Sequence, residues 1–183
     1  MKKITLKFLQ SKDACLDGVN WCEENKLIGL PTIDFLNKLI KNDKLDWANW
    51  LIARVMKRKQ YLLAYAIFAA ESVLDIYEKE YPNDNRPRKA IETAKAMKNG
   101  VNMEKKKINT VKTTTFAAVK AAAQATTFAA AYAANAAYAA VKATKNAVNA
   151  AYAADSAYAA SDLIAKKGIK IKILNYGMKL LNN

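Results

Sequence analysis

From Ser11 onward the apolar residues of this chain recur mostly at three- and four-residue intervals, the period of an α-helix. Residues 1–10 alternate weakly through Ile4, Leu6 and Phe8, which fits an extended segment or a first helical turn. Ser11 and Asp13 offer N-caps for a helix that runs through Trp21 and Cys22 to Lys26, with Gly29 as its stop. Pro31 suits the first turn of a second helix carrying Ile33, Phe35, Leu36 and Leu39. Asp43 is placed to cap a third, with Asp46 as a box-like partner; that helix holds Trp47, Trp50, Leu51 and Val55.

Gln60 to Tyr81 reads as a central helix. Its first half, Tyr61 to Ala70, is almost wholly apolar and so should be surrounded by other helices. Its second half interleaves Glu71, Asp75 and Glu78 with Val73, Leu74 and Tyr77. Pro82 stops it, residues 83–87 form a loop, and Pro87 opens a helix that ends at Asn99-Gly100.

Val101 to Lys167 contains neither Gly nor Pro. One straight helix of that length would span about 100 Å, too long for a compact domain. An internal repeat shows where the chain must turn. Ala131-Tyr132-Ala133-Ala134-Asn135-Ala136-Ala137-Tyr138 returns as Ala151-Tyr152-Ala153-Ala154-Asp155-Ser156-Ala157-Tyr158, with Phe128 matched by Val148. Each copy places its Phe or Val, both Tyr and the Asn or Asp on one helical stripe. On a continuous helix the second stripe would be rotated from the first by about 160–200°. Turns are therefore expected near Thr144-Lys145-Asn146 and near Thr126-Thr127, with both stripes facing inward and the Tyr hydroxyls meeting Asn135 and Asp155. The remaining faces are alanine, which has the best helix propensity and lets helix axes approach closely. After Gly168, residues Ile171, Leu174, Met178 and Leu181 predict a closing helix; the alternation of Ile169, Ile171 and Ile173 keeps a strand as the alternative.

The fold class expected is all-α: a helical bundle over residues 1–183, mixed in composition up to 100 and built from closely packed Ala-rich hairpins in the C-terminal half. The scarcity of breakers, 5 Gly and 3 Pro, supports long helices.

The formal charge of +14 is uneven. Residues 1–100 carry 18 basic and 13 acidic side chains, and residues 101–183 carry 12 and 3. A basic C-terminal half favours an acidic partner, whether protein or nucleic acid. All four arginines precede residue 90, and Arg is the better fork for bases and phosphates, so specific DNA readout is not the first expectation. Cys15 and Cys22, seven apart, would sit on one helix face about 10 Å apart, too far for a disulfide; buried free thiols in a reducing cytoplasm are expected. No signal peptide and no apolar run long enough to span a membrane is visible, so a cytoplasmic protein is expected.

The chain has no histidine, which removes the commonest general base and metal ligand. No Gly-rich phosphate loop or nucleophile elbow is present. An enzyme, a metal or another cofactor is not expected. Glu71 and Asp75 stand at carboxylate-pair spacing, with Asp17 and Asp46 elsewhere, but surface charges or partners for Arg54, Arg86 and Arg88 are the preferred reading. Trp21, Trp47 and Trp50 are read as core. The partner-binding candidates are lysines: Lys105, Lys106 and Lys107; Lys142 and Lys145; and Lys166 and Lys167 with the residues up to Lys172.

Several stretches carry a family resemblance. They are Asp17-Gly18-Val19-Asn20-Trp21, Asp46-Trp47-Ala48-Asn49-Trp50-Leu51, Ala66-Ile67-Phe68-Ala69-Ala70-Glu71 leading to Asp75, and Arg86-Pro87-Arg88-Lys89-Ala90-Ile91-Glu92. With the Ala/Tyr tract from Phe128 to Ala160, the chain resembles the small, Ala- and Tyr-rich, immunity-five-like proteins of bacteria and phages. The resemblance marks Asp17, Trp21, Asp46, Trp50, Glu71, Asp75, Arg86, Arg88, Tyr132, Asn135, Tyr138, Tyr152, Asp155 and Tyr158 as its motif residues. It implies a non-enzymatic helical protein that neutralises a toxin or a host-defence effector by direct contact, an immunity protein or a phage anti-defence (anti-CRISPR) inhibitor. Relatives tend to carry many Asp in the tract, where this chain has Lys, Asn and Thr, so mimicry of nucleic acid by negative charge is not implied. The competing expectation is a basic helical protein that binds nucleic acid.

Overall fold

The computed structural model describes residues 2–124, 128–143, 147–163 and 168–182. Among these residues there are eleven helices and no β-sheet: α1 (Leu6–Gln10), α2 (Leu16–Glu24), α3 (Thr32–Lys41), α4 (Leu45–Val55), α5 (Lys59–Glu71), α6 (Leu74–Glu80), α7 (Arg86–Lys98), α8 (Lys105–Gln124), α9 (Phe128–Lys142), α10 (Ala147–Leu163) and α11 (Gly168–Leu181). The weakly alternating N-terminus is both extended and helical. Lys3 bridges Pro31 in an antiparallel pair, with the Ile4 N–H bonded to the Leu30 carbonyl, and α1 follows. The closing segment is the helix α11 rather than a strand.

Three caps read from the sequence are corrected by the backbone. Ser11 ends α1, its hydroxyl donating to the Phe8 carbonyl, and α2 starts only after Cys15. Asp13 and Asp43 lie in the left-handed region (φ 56° and 55°), where short polar side chains are tolerated, and each turns the chain between helices instead of capping one. The expected central helix is also two. It breaks at Ser72-Val73, where the Ser72 hydroxyl bonds the Phe68 carbonyl and Val73 leaves helical geometry. A Ser hydroxyl bonded back to the preceding turn competes with the helical ladder.

Pro31 and Pro87 stand at the starts of α3 and α7, and Gly100 ends α7 with φ 81°. The Asp84 carboxylate gathers the α6–α7 turn. It accepts from the Tyr77 hydroxyl (2.6 Å), the Arg86 backbone N–H (3.0 Å) and the Arg86 guanidinium.

The C-terminal half packs as expected, helix on helix. α9 lies against α8 and α10, and also against α5, α6 and α7; α10 lies against α4, α5 and α11. α9 and α10 run antiparallel, since Asn135 reaches Ser156 while Asn149 reaches the Lys142 carbonyl. The turns expected near Thr126-Thr127 and Thr144-Lys145-Asn146 fall outside the described residues. The interior of this hairpin is methyl groups: Ala133, Ala134, Ala136, Ala137, Ala153, Ala154 and Ala157 are all fully buried. The aromatic stripes are therefore not what forms the core. Tyr158 is buried, but Phe128, Tyr132, Val148 and Tyr152 are exposed. Alanine on both facing surfaces lets the helices approach closely, and Phe128, Tyr132, Val148 and Tyr152 stand at the rim while Tyr158 is buried.

α11 docks through a glycine. A Cβ at Gly177 would lie 2.8 Å from Ile52 of α4 and 2.8 Å from Tyr65 of α5, closer than carbon atoms pack. Tyr176 beside it stacks on Phe68, with ring centroids 4.1 Å apart.

Candidate functional site

A cleft of about 590 Å³, open to solvent on one side, lies where α2, α3 and α4 meet α10 and α11. Its apolar wall is built by Val19, Phe35, Leu51, Trp47 and Trp50. Three carboxylates, Asp13, Asp46 and Asp155, and one ammonium, Lys170, reach its surface. The positions follow from local structure. Asp13 sits at the left-handed turn between α1 and α2, Asp46 in the first turn of α4 where the helix dipole favours an anion, and Asp155 in the middle of α10.

Behind Asp155 lies a polar network inside the core. Asn49, fully buried on α4, donates from Nδ2 to the Asp155 carboxylate and to the Ala151 carbonyl (3.2 Å). Its Oδ1 accepts from the fully buried Tyr65 hydroxyl (2.8 Å). Asn49 thus ties α4, α5 and α10 together. The Asp155 carboxylate is reached by solvent through the cleft mouth, yet protein surrounds it on most sides. This desolvation raises its pKa to about 6, against the bond from Asn49. Burial likewise lifts the Tyr65 hydroxyl far above its ordinary value, and it lifts the Cys22 thiol to about 11. Cys22 is inert by that measure; Cys15, expected to be buried, is exposed at the start of α2.

The tryptophans are neither core nor free. Trp21 meets Trp47 edge-on at 5.8 Å, and Lys44 Nζ lies 4.9 Å from the Trp47 ring centroid. The Arg54 guanidinium lies 4.2 Å from that of Trp50.

Of the motif residues singled out in the sequence, Asp46, Trp50, Asp155 and Tyr158 converge on the cleft. Asp17 is exposed on the first turn of α2. Glu71 pairs with Lys95, and Asp75 lies on the exposed side of α6, so these two do not act as a catalytic pair at the cleft. Arg86 clamps Asp84, and Arg88 binds Glu78 through two bonds of 2.6 Å. These arginines shape the α6–α7 turn. Asn49 was not singled out, although one signal was present: a lone amide between two tryptophans on an otherwise apolar helix face.

A second surface runs from α8 across the hairpin. Phe116 packs on Tyr138 (5.5 Å between centroids), with Lys120 over the Phe116 ring and Lys142 over the Tyr138 ring. Asn135 Nδ2 donates to the Tyr152 hydroxyl (2.7 Å), linking the two stripes at the exposed rim instead of in the expected interior, and exposed Tyr132 stands one turn before it. Lys105, Lys106 and Lys107 are exposed at the start of α8; Lys145, Lys166 and Lys167 lie outside the described residues.

Comparison with known proteins adds one relation. The family model described as Imm-5 like putative immunity protein matches residues 54–175. The chain belongs to this family. No curated protein and no solved structure matches it. The matched segment holds α5 to α10, the aromatic ridge and the Asp155 side of the cleft, while the α2, α3 and most of the α4 wall precede it. Family membership fits a protein partner in general. Among the described residues no helix is long and apolar enough to cross a membrane, and no three of Cys, Asp and Glu converge on a position that could hold a metal ion.

Proposed function

We propose that this family member neutralises a toxin or a host-defence effector in the cytoplasm by direct, non-enzymatic contact, using the aromatic ridge of α8, α9 and α10. The observation that carries the reading is the exposure of Phe116, Phe128, Tyr132, Val148 and Tyr152 on three helices packed on one another. Five large apolar side chains held in solvent have an unfavourable hydration that a partner surface relieves. Tyrosine is also a low-entropy contact residue. Lys120 and Lys142, already lying over ring faces, complement an acidic partner. Whether that partner is a bacterial toxin or an anti-phage effector is decided by which gene product the chain protects against.

The test is co-expression with candidate toxins and defence effectors, including the products of any genes adjacent to its own. Protection and a stoichiometric complex are expected, and Tyr132→Ser with Tyr152→Ser should weaken the complex by at least about tenfold. A fully active toxin or effector in the presence of the chain overturns the reading.

The second reading, nucleic-acid binding, draws on the same Lys-over-aromatic pairs and on Lys105, Lys106 and Lys107 at the start of α8. It requires retention on DNA or RNA that falls steeply with salt; a flat, weak response dismisses it.

A further inference from the structure

The chain as a whole is strongly basic, at +14, yet the charged groups that line the cleft between α2, α4, α10 and α11 are three carboxylates and one ammonium. The local charge thus opposes the global one. The rest of the cleft wall is apolar and aromatic. Its volume of about 590 Å³ falls within the range of small-molecule sites, about 300–1,000 Å³, which are concave and largely apolar with a few placed polar groups. The ridge on α8–α10, by contrast, projects its side chains outward and is suited to a protein surface.

We propose that this cleft is a binding site for a small organic amine, with the protonated amine held between Asp46 and Asp155 and an apolar body against Trp47, Trp50 and Leu51. Among the residues that line the cleft the carboxylates outnumber the cation three to one, which favours a cationic ligand, with Arg54 facing Asp155 and Asp13 from beside Trp50. The carboxylates come from separate elements, and no three acidic or thiol groups converge among the described residues, which argues against a divalent metal as occupant. The two indoles already show their capacity for cations, since each holds one of the protein's own: Lys44 on Trp47 and Arg54 on Trp50. A carboxylate beside an aromatic face is the usual pairing for an ammonium ligand. The buried Asn49–Tyr65 pair fixes the Asp155 carboxylate from behind, so the site is preorganised. Lys170 on the cleft surface and Arg54 beside Trp50 are the protein's own competitors for the Asp155 carboxylate.

The inference is independent of the protein-partner reading and is tested without a partner. Three probes of matched shape serve: 4-phenylbutylamine, 4-phenylbutanol and 4-phenylbutyrate, titrated into the intact chain at pH 7.5 with tryptophan fluorescence and calorimetry as readouts. The amine should bind at least about tenfold more tightly than the alcohol, and the carboxylate should not bind. Asp46→Asn and Asp155→Asn should each remove most of that preference, while Lys170→Ala should strengthen amine binding. Circular dichroism and thermal midpoints verify that the variants fold; Asp46, exposed on its helix, keeps the test valid if the buried network tolerates no change at Asp155. Equal affinity for amine and alcohol overturns the proposal. So does failure of the amine to bind at millimolar concentration, and if Asp46→Asn then weakens a protein complex, the cleft is part of that interface.

Discussion

Asn49 on α4 donates an amide hydrogen to Asp155 on α10, 106 residues away in sequence. With Tyr65 bonded to its carbonyl oxygen, this fully buried amide is a polar pin in a core that is mostly apolar. It joins α4 to α10 of the Ala-rich hairpin, and it also orients a carboxylate at the cleft.

Asn49→Leu should therefore cost more than a surface change. The substitution orphans the buried Tyr65 hydroxyl and removes one bond from the partly screened Asp155 carboxylate. A loss of about 2–4 kcal/mol is expected, read from urea unfolding. A loss below about 0.5 kcal/mol would mean that the network adds nothing to the packing around it.

Two carboxylates should respond to pH with opposite sign. Asp155 has its pKa raised to about 6, above the ordinary 3.8. Between those values the folded state binds a proton that the unfolded chain does not, so this group's contribution to stability grows as pH falls from 7 to 4. Facing it are Asp46 and Arg54 of α4, Lys170 of α11 and the Asn49 amide, which set the balance. Asp155→Asn should flatten that slope and raise the unfolding midpoint at pH 7.5. In the wild type, amine binding at the cleft should weaken from pH 7.5 to pH 5 as the carboxylate is neutralised.

Asp84 has its pKa lowered to about 2, chiefly by the Arg86 guanidinium. Its stabilisation is present above pH 4 and is lost as pH falls toward 2. Asp84→Asn should remove about 1 kcal/mol at pH 7, after allowance for partial exposure, with little effect at pH 2. Paired denaturant curves at the two pH values measure it.

Gly177→Ala improves the helix propensity of α11 by about 1 kcal/mol yet should lower stability. The added methyl would meet Ile52 and Tyr65 at 2.8 Å. A net destabilisation of about 1–3 kcal/mol is expected, with the shift visible in calorimetric midpoints. An unchanged or raised midpoint would mean that α11 can slide outward without loss.

The all-α architecture was legible because its signals are local. Pro31 and Pro87 at helix starts, Gly100 at an end and the absence of breakers after Val101 all act through backbone geometry that a single residue carries. The repeat showed that the tract folds back, because a stripe offset by twenty residues cannot face one side of one helix. Which side the stripe would face was not legible. Periodicity assigns aromatic rings to the interior by hydrophobicity, whereas here alanine fills the facing surfaces of both helices: Ala134 and Ala154 are fully buried while Tyr132 and Tyr152 stand in solvent. The turns at Asp13 and Asp43 were missed because a left-handed aspartate and a capping aspartate look alike in sequence. The cleft itself depends on contacts between residues more than a hundred positions apart, such as Asn49 with Asp155, which no local pattern encodes. The resemblance did bring Asp46, Trp50, Asp155 and Tyr158 together in one set, though without showing that they meet.

A hairpin sealed by methyl groups freezes almost no side-chain rotamers when it closes, since alanine has none to lose. Its cohesion is indifferent to what stands on the outer rim. Phe128, Tyr132, Val148 and Tyr152 can be exchanged for other side chains with little penalty to folding, so natural selection is able to rewrite the contact specificity of this scaffold one rim position at a time while the interior stays fixed.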